Sequence, residues 1–371
     1  MKMNENNHDV YKELQLHLDT FPIGFPTTKS GVEFEVLKHL FTPKEAKIAT
    51  KLNFSWSQNL ESLETIYERI KEIEISMEEL EKILDIMAHK GTIHSKKENG
   101  KKYYANSLFM YGMYELQVNN LTKEFFEKAY KYMLEGFGLE AFGTKIPQFR
   151  TVPVEKSIKI EYKIPTYDDL RQIIENAEGP IIIANCLCRQ ATDLLGKPCK
   201  MTDRRETHLG FGHLAQIYLN EGKGRQISKD EALEILRQSE EEGLVLQAAN
   251  SLQPHFFCSC CECCCPVLGG LKQFPRPIEF ISTNYLAEIY NDLCSSCGTC
   301  IDRCQMGAIK LVKDIAKVNW KKCLGCGNCV TTCPEEAIQL KKKVEEIDPP
   351  PTMDDLYAKI LKKKQEIREN K

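Results

Sequence analysis

The chain has 371 residues, enough for two or three domains with substantial cores. It carries 50 Lys and Arg against 53 Asp and Glu, a net charge of −3, so no global field demands nucleic acid or a membrane surface. The opening MKMNENNHDVYKELQ has neither an apolar run nor a small-residue cleavage site, and no stretch approaches the roughly eighteen apolar residues of a spanning helix, so a soluble, cytoplasmic protein is expected. Its 17 cysteines are an odd number; in a reducing cytosol they read as metal ligands rather than a disulfide framework, and their sensitivity to oxidation suits an anaerobic host.

Residues 1–146 read as a helical region holding a winged-helix-like module at about 32–106. After a helix ending near Phe41, Thr42-Pro43-Lys44-Glu45 supplies an N-cap, a proline in the first helical position and a capping glutamate. A second box, Ser76-Met77-Glu78-Glu79, opens a helix through His89 that Gly91 closes. Residues 93–97 and 101–104 flank an Asn99-Gly100 turn, the strongest short hairpin signal. A helix entering a major groove needs donors and cations in its first turns. This one presents Glu78, Glu79, Glu81 and Asp85 against Lys82 and Lys90, after a segment with Glu61, Glu64, Glu68, Glu72 and Glu74. Lys96, Lys97, Lys101 and Lys102 make only the wing basic. Docking, for instance as a homodimer, is therefore expected rather than nucleic-acid binding.

The stretch from Pro147 through Pro153 to Pro165 marks a boundary, and a Cys-rich middle domain of mixed α and β structure is expected over 147–284. Ser228-Lys229-Asp230-Glu231 opens a helix there that Gly243 ends. Two G-x-G-x-x-A strings, at Gly136 and Gly210, invite a dinucleotide reading, but neither is preceded by a strand signal, so the βαβ context is missing. Nine cysteines fall in this domain: Cys186, Cys188 and Cys199 as C-x-C-x10-C, then Cys258, Cys260, Cys261, Cys263, Cys264 and Cys265 within eight residues. Thiols bunched in this way need a shared counter-charge, and a metal is the simplest one. Residues 181–184 read as a short buried strand, placing Cys186 and Cys188 at its end with both thiols on one side.

Between Cys294 and Leu340 the pattern C-x2-C-x2-C-x3-C occurs twice, CSSCGTCIDRCQMGAIKL and CLGCGNCVTTCPEEAIQL. In such runs three cysteines wrap one cubane iron–sulfur cluster and the fourth ligates the other. Cys294, Cys297 and Cys300 are therefore expected to hold one [4Fe-4S] cluster with Cys333, and Cys323, Cys326 and Cys329 a second with Cys304. Gly298 and Gly327 let backbone N–H groups approach the sulfurs, and Ala308-Ile309 and Ala337-Ile338 exclude water. Two four-cysteine zinc sites would want a longer gap between pairs of ligands. Cys333 is followed by Pro334, but Cys304 by Gln305, which alters the surroundings of the second cluster. The segment 285–341 resembles the bacterial two-cluster ferredoxins. Beyond it, residues 342–371 form a charged, proline-rich linker and a final helix capped by Thr352, whose Leu356, Ile360 and Ile367 dock on the body or on a partner.

The series CLCRQ, GKPC, ETHLGFG, GRQISKDEALEIL and FCSCCECCC, followed by the ferredoxin repeat, resembles a family of anaerobe four-iron–four-sulfur binding proteins. The resemblance extends over most of the chain. Members carry a further cysteine where this chain has Thr207-His208, which implies His208 as a replacement ligand. Nine thiols, or ten ligands with His208, against four per cubane leave one or two further clusters open, with spare thiols. An α+β, multidomain iron–sulfur protein is expected, exchanging electrons with redox protein partners. The alternatives are a reductase acting on a small molecule or disulfide at the middle cysteines, and a redox-sensing DNA-binding regulator.

Overall fold

The computed structural model describes residues 5–158 and 165–370; residues 159–164, within the expected interdomain boundary, lie outside the described residues. The chain forms two compact units, one of Met1–Thr144, Asn220–Lys223 and Asp354–Lys371, the other of Lys145–Leu219 and Gly224–Met353.

The first unit is mainly helical: α1 (Glu5–Leu18), α2 (Val32–Leu40), α3 (Pro43–Ala49), α4 (Leu63–Arg69), α5 (Met77–His89), α6 (Lys123–Tyr132) and α7 (Gly138–Gly143). Among the described residues its sheet has the order β1 (Glu61–Ser62), β3 (Lys101–Asn106), β2 (Ile93–Glu98). The caps follow from the sequence. Thr42 and Glu45 form a reciprocal capping box at α3, and the Ser76 hydroxyl accepts from Glu79 N–H at α5. Asn99 and Gly100 both take positive φ, 51° and 80°, as a tight hairpin turn requires. The C-terminal helix Met353–Glu369 packs in this unit. Leu356, Tyr357 and Ile360 are buried, with the Tyr357 ring 5.6 Å from Phe54 and 5.8 Å from Trp56, and Asp354 accepts from Trp56 N–H.

The second unit is built on a seven-stranded sheet. In chain order its strands are β4 (Phe149–Thr151), β5 (Ile181–Asn185), β6 (Glu206–Phe211), β7 (Arg225–Ile227), β8 (Val245–Ala249), β9 (Phe256–Cys260) and β10 (Ile281–Ser282), arranged β10-β4-β8-β9-β6-β5-β7. Only β10 and β4 run parallel. One face buries Ile181, Ile183, Leu209, Leu246, Ala248 and Phe257 against α8 (Leu170–Glu175) and α11 (Lys229–Glu241). Alternation along the strands turns the other residues to the opposite face. There the ladder sets His208 beside Cys258, Cys258 beside Gln247 and Gln247 beside Thr151, a row across four strands in which Cys258 is half-buried and the other three are buried. The connections include α9 (Leu187–Leu194), α10 (Gly212–Asn220) and α12 (Pro266–Lys272). The ferredoxin-like segment adds β11 (Tyr285–Ile289) paired antiparallel with β14 (Ile338–Lys342), the hairpin β12 (Ile309–Val312) and β13 (Ile315–Val318), and the short helix α13 (Thr299–Arg303).

Two local expectations are corrected. Glu206–Phe211 is a strand, its period-2 signal in Thr207, Leu209 and Phe211 interrupted by His208 and Gly210, and Gly212 at φ 54° opens α10. The G-x-G-x-x-A at Gly210 thus sits on a strand–helix turn, but both neighbours of β6 are antiparallel, so no βαβ unit exists there. Cys186 does stand at the strand end, directly after Asn185, where it is the N-cap of α9, but Cys188 lies in the first turn of that helix rather than on the strand.

Candidate metal centres

The eight cysteines of the repeat are gathered into two fours. Cys294, Cys297, Cys300 and Cys333 line one pocket with Ala337 and Ile338; Cys304, Cys323, Cys326 and Cys329 line another with Ala308 and Ile309. Each Ala-Ile pair therefore walls the pocket served by the cysteine that ends its own run. Gly298 and Gly327 are left-handed, at φ 80° and 81°. A Cβ on Gly327 would come within 2.1 Å of Ser157 Oγ and 3.1 Å of Val154, so glycine lets this loop seat against the 154–157 segment. The N–H of Ala308 points to Cys304 Sγ at 3.3 Å and that of Ala287 to Cys323 Sγ at 3.5 Å, the donor arrangement a cluster sulfur needs. Burial pushes the Cys326 thiol up to about 12 and raises Cys323, Cys329 and Cys300. Thiolates in such apolar walls require a cationic core to balance them. Four soft donors, amide N–H groups and an apolar lining fit a [4Fe-4S] cluster in each pocket.

The nine middle cysteines divide differently from their sequence groups. One set is a chain of five thiols: Cys188 hydrogen-bonds with Cys186 and Cys265, and Cys260 with Cys258 and Cys265. His208 closes the chain, its Nδ1 3.3 Å from Cys258 Sγ and its ring stacked between Tyr218 and Phe256. Hydrogen bonding from Cys188 lowers the Cys186 thiol to about 6, bonding from Cys260 lowers Cys258 to about 6, and bonding from both lowers Cys265. Their donors Cys188 and Cys260 are raised in turn. Cys186 caps α9 and Cys265 caps α12, where the N–H groups of Val267 and Leu268 face its sulfur. A helix N-terminus favours the thiolate. The second set, Cys199, Cys261, Cys263 and Cys264, has its four sulfurs within 4.8 Å of one another.

Residues without a cysteine signature complete the region. Arg189 is fully buried; it donates to the Thr207 hydroxyl and to Ser259 O at 2.9 Å, and reaches Cys261 Sγ at 3.7 Å. Its charge acts on Cys186, Cys199 and Cys261, so one guanidinium offsets thiolate charge in both sets. The only signal for it was its position directly after Cys188. Gln247, also fully buried, has a side-chain amide with no hydrogen-bond partner among the described residues.

Gln305, which stands where the other repeat has proline, is a tie. Its Oε1 accepts from Glu262 N–H at 2.7 Å, between Cys261 and Cys263, and its Nε2 donates to Gly243 O. Asn328 also donates to Gly243 O and Leu244 O, at 3.0 and 3.1 Å. Leu244 packs against Cys199, Cys261 and Cys264, while Val245 lines the Cys304 pocket and pairs with Cys260 in the sheet. One residue thus separates the second ferredoxin pocket from the five-thiol chain. Gln305→Ala is expected to cost about 1–2 kcal/mol by orphaning Glu262 N–H, read as a lowered midpoint in anaerobic thermal unfolding.

A family model described as a 4Fe-4S binding domain matches residues 287–310 and 316–339, one match for each run. The C-terminal segment is therefore an iron–sulfur, ferredoxin-like module. Searches of curated proteins and of solved structures returned no match to the chain. Among the described residues no helix is long and apolar enough to cross a membrane.

Proposed function

We propose that the two four-cysteine pockets of this ferredoxin-like module hold [4Fe-4S] clusters that pass single electrons between redox protein partners and a third iron–sulfur centre in the middle domain. The observation that carries the reading is the sorting of the repeat cysteines into two apolar fours, each completed by the last cysteine of the other run. Cys294, Cys297, Cys300 and Cys333 would hold one cluster, and Cys304, Cys323, Cys326 and Cys329 the other. Cys186, Cys188, Cys258, Cys260 and Cys265, with His208 at the end of the chain, would hold the third. Bound clusters supply reversible one-electron oxidation and reduction.

The chain's own groups supply the rest. Ala308, Ile309, Ala337 and Ile338 keep water from the sulfurs. Amide N–H groups favour the more negative, reduced form. Val245 provides a short path from the Cys304 pocket to Cys260, and electron tunnelling falls steeply with distance. Iron and acid-labile sulfide in anaerobically purified protein test the count: about twelve of each per chain is expected, against about eight if the middle domain holds no cluster.

A second reading, a reductase acting on a small molecule or a disulfide, is favoured by one observation. Five thiols converge with His208 where a cubane takes four ligands, next to the unpartnered amide of Gln247. Substrate-dependent reoxidation of the reduced protein separates it from a carrier, which reacts with protein partners alone. The winged-helix-like segment is proposed as a docking element, with homodimerisation one form of it. Lys102 of its hairpin is already paired with Glu81 and Asp85, and Lys44 with Glu79, which leaves less cation for a nucleic-acid backbone.

A further inference from the structure

We propose that Cys199, Cys261, Cys263 and Cys264 form a mononuclear tetrathiolate site for one divalent ion, zinc or ferrous iron, separate from the iron–sulfur clusters. The sulfur separations decide the nuclearity. Cys199 Sγ lies 3.5 Å from Cys261 and 3.9 Å from Cys263, and Cys263 lies 3.7 Å from Cys264. Four thiolates around one metal at about 2.3 Å form a tetrahedron with edges of about 3.8 Å. A cubane binds each thiolate at a different iron corner and holds the four sulfurs farther apart. Among the described residues, no other group of three or more His, Cys, Asp or Glu side chains gathers its ligand atoms so closely.

The surroundings suit such a site. Cys199, Cys261 and Cys264 are buried, and Cys263 half-buried. The Thr192 hydroxyl donates to Cys264 Sγ at 3.3 Å, Met201 N–H to Cys199 Sγ at 3.4 Å, and Arg189 to Cys261 Sγ. These are the outer donors that orient thiolate ligands and offset the charge a divalent ion leaves uncompensated on four sulfurs. The ion would fasten the loop between α9 and β6 to the turn after β9. Cys260 and Cys265 flank that turn, so the site sets the spacing of the five-thiol chain.

The test is metal and sulfide analysis of the full chain, purified anaerobically, as wild type and as Cys263→Ser and Cys264→Ala. Each variant is expected to lose one metal ion per chain and no labile sulfide. Loss of zinc or of a single iron identifies the ion. Loss of several irons together with sulfide, or an unchanged metal content, overturns the proposal. Should the variants fail to fold, the wild type decides. Zinc absorption-edge spectroscopy is expected to show four sulfurs at about 2.3 Å, or Mössbauer spectroscopy one high-spin ferrous tetrathiolate beside the clusters; the absence of both signatures overturns the proposal. Cys326→Ser serves as the control for zinc misplaced in the ferredoxin module, since it leaves the ion in place.

Discussion

Replacing Cys265 by alanine is expected to remove about four irons and four sulfides from each chain and to leave the roughly eight irons of the ferredoxin-like module in place. Cys265 is where two arms of thiols meet, one from the start of α9 through Cys188, the other from the end of β9 through Cys260. Pro266 takes the first helical position directly after it, and the N–H groups of Val267 and Leu268 face its sulfur. The ends of the chain behave differently: five thiols exceed the four a cubane takes, so Cys186→Ala is expected to keep most of the iron. Iron, sulfide and the electron paramagnetic resonance of the reduced protein read both variants. A Cys265→Ala protein with undiminished iron would remove the third centre from the proposal.

The ferredoxin-like module was legible because its ligands lie within local runs, so spacing alone carries the geometry. The middle region was not, because its cysteines arrive from α9, the loop after it, β9 and the following turn. Sequence adjacency is misleading there. The N–H of Cys265 bonds to Cys261 O at 2.9 Å, closing a helical turn that fans Cys263, Cys264 and Cys265 in different directions, two toward one set and the third toward the other. The hairpin at Asn99-Gly100 and the cap at Thr42 were readable because each is a backbone demand met by one or two residues. β6 was missed because His208, turned toward Cys258, and Gly210, whose Cβ would sit 3.0 Å from Ile182, break its alternation. The functional face of a strand is thus the part that obscures it. Gln305 was noticed only as a departure from proline; its purpose needed the Glu262 and Gly243 backbones that it joins.

Arg150→Ala is expected to be the most destabilising single change outside the cysteines, at about 3–5 kcal/mol, because it strands a buried carboxylate. Arg150 and Asp168 are both almost fully buried and pair at 2.9 Å. Asn284 donates to the second Asp168 oxygen at 3.1 Å and accepts from Ile347 N–H at 2.9 Å, while Arg150 itself donates to Ile347 O at 2.5 Å. The network therefore joins β4, the turn before α8, the entry to β11 and the segment leaving the ferredoxin-like module. Burial already raises the Asp168 carboxyl above its ordinary value, with Arg150 opposing that shift. Without the guanidinium the folded-state pKa rises further. An acid whose folded pKa exceeds its unfolded value loses stability as pH rises between the two, so the variant's deficit should be fullest near neutral pH and shrink as the medium is acidified. Adding Asp168→Asn is expected to recover part of the loss at neutral pH and to flatten that pH dependence. Midpoints of anaerobic thermal unfolding for the single and double variants, each followed across pH, check both expectations. A single variant with a pH-independent deficit would locate the cost in the lost contact of the guanidinium with Tyr167, whose ring centre lies 4.8 Å from Arg150 Cζ, instead of in the uncompensated carboxylate.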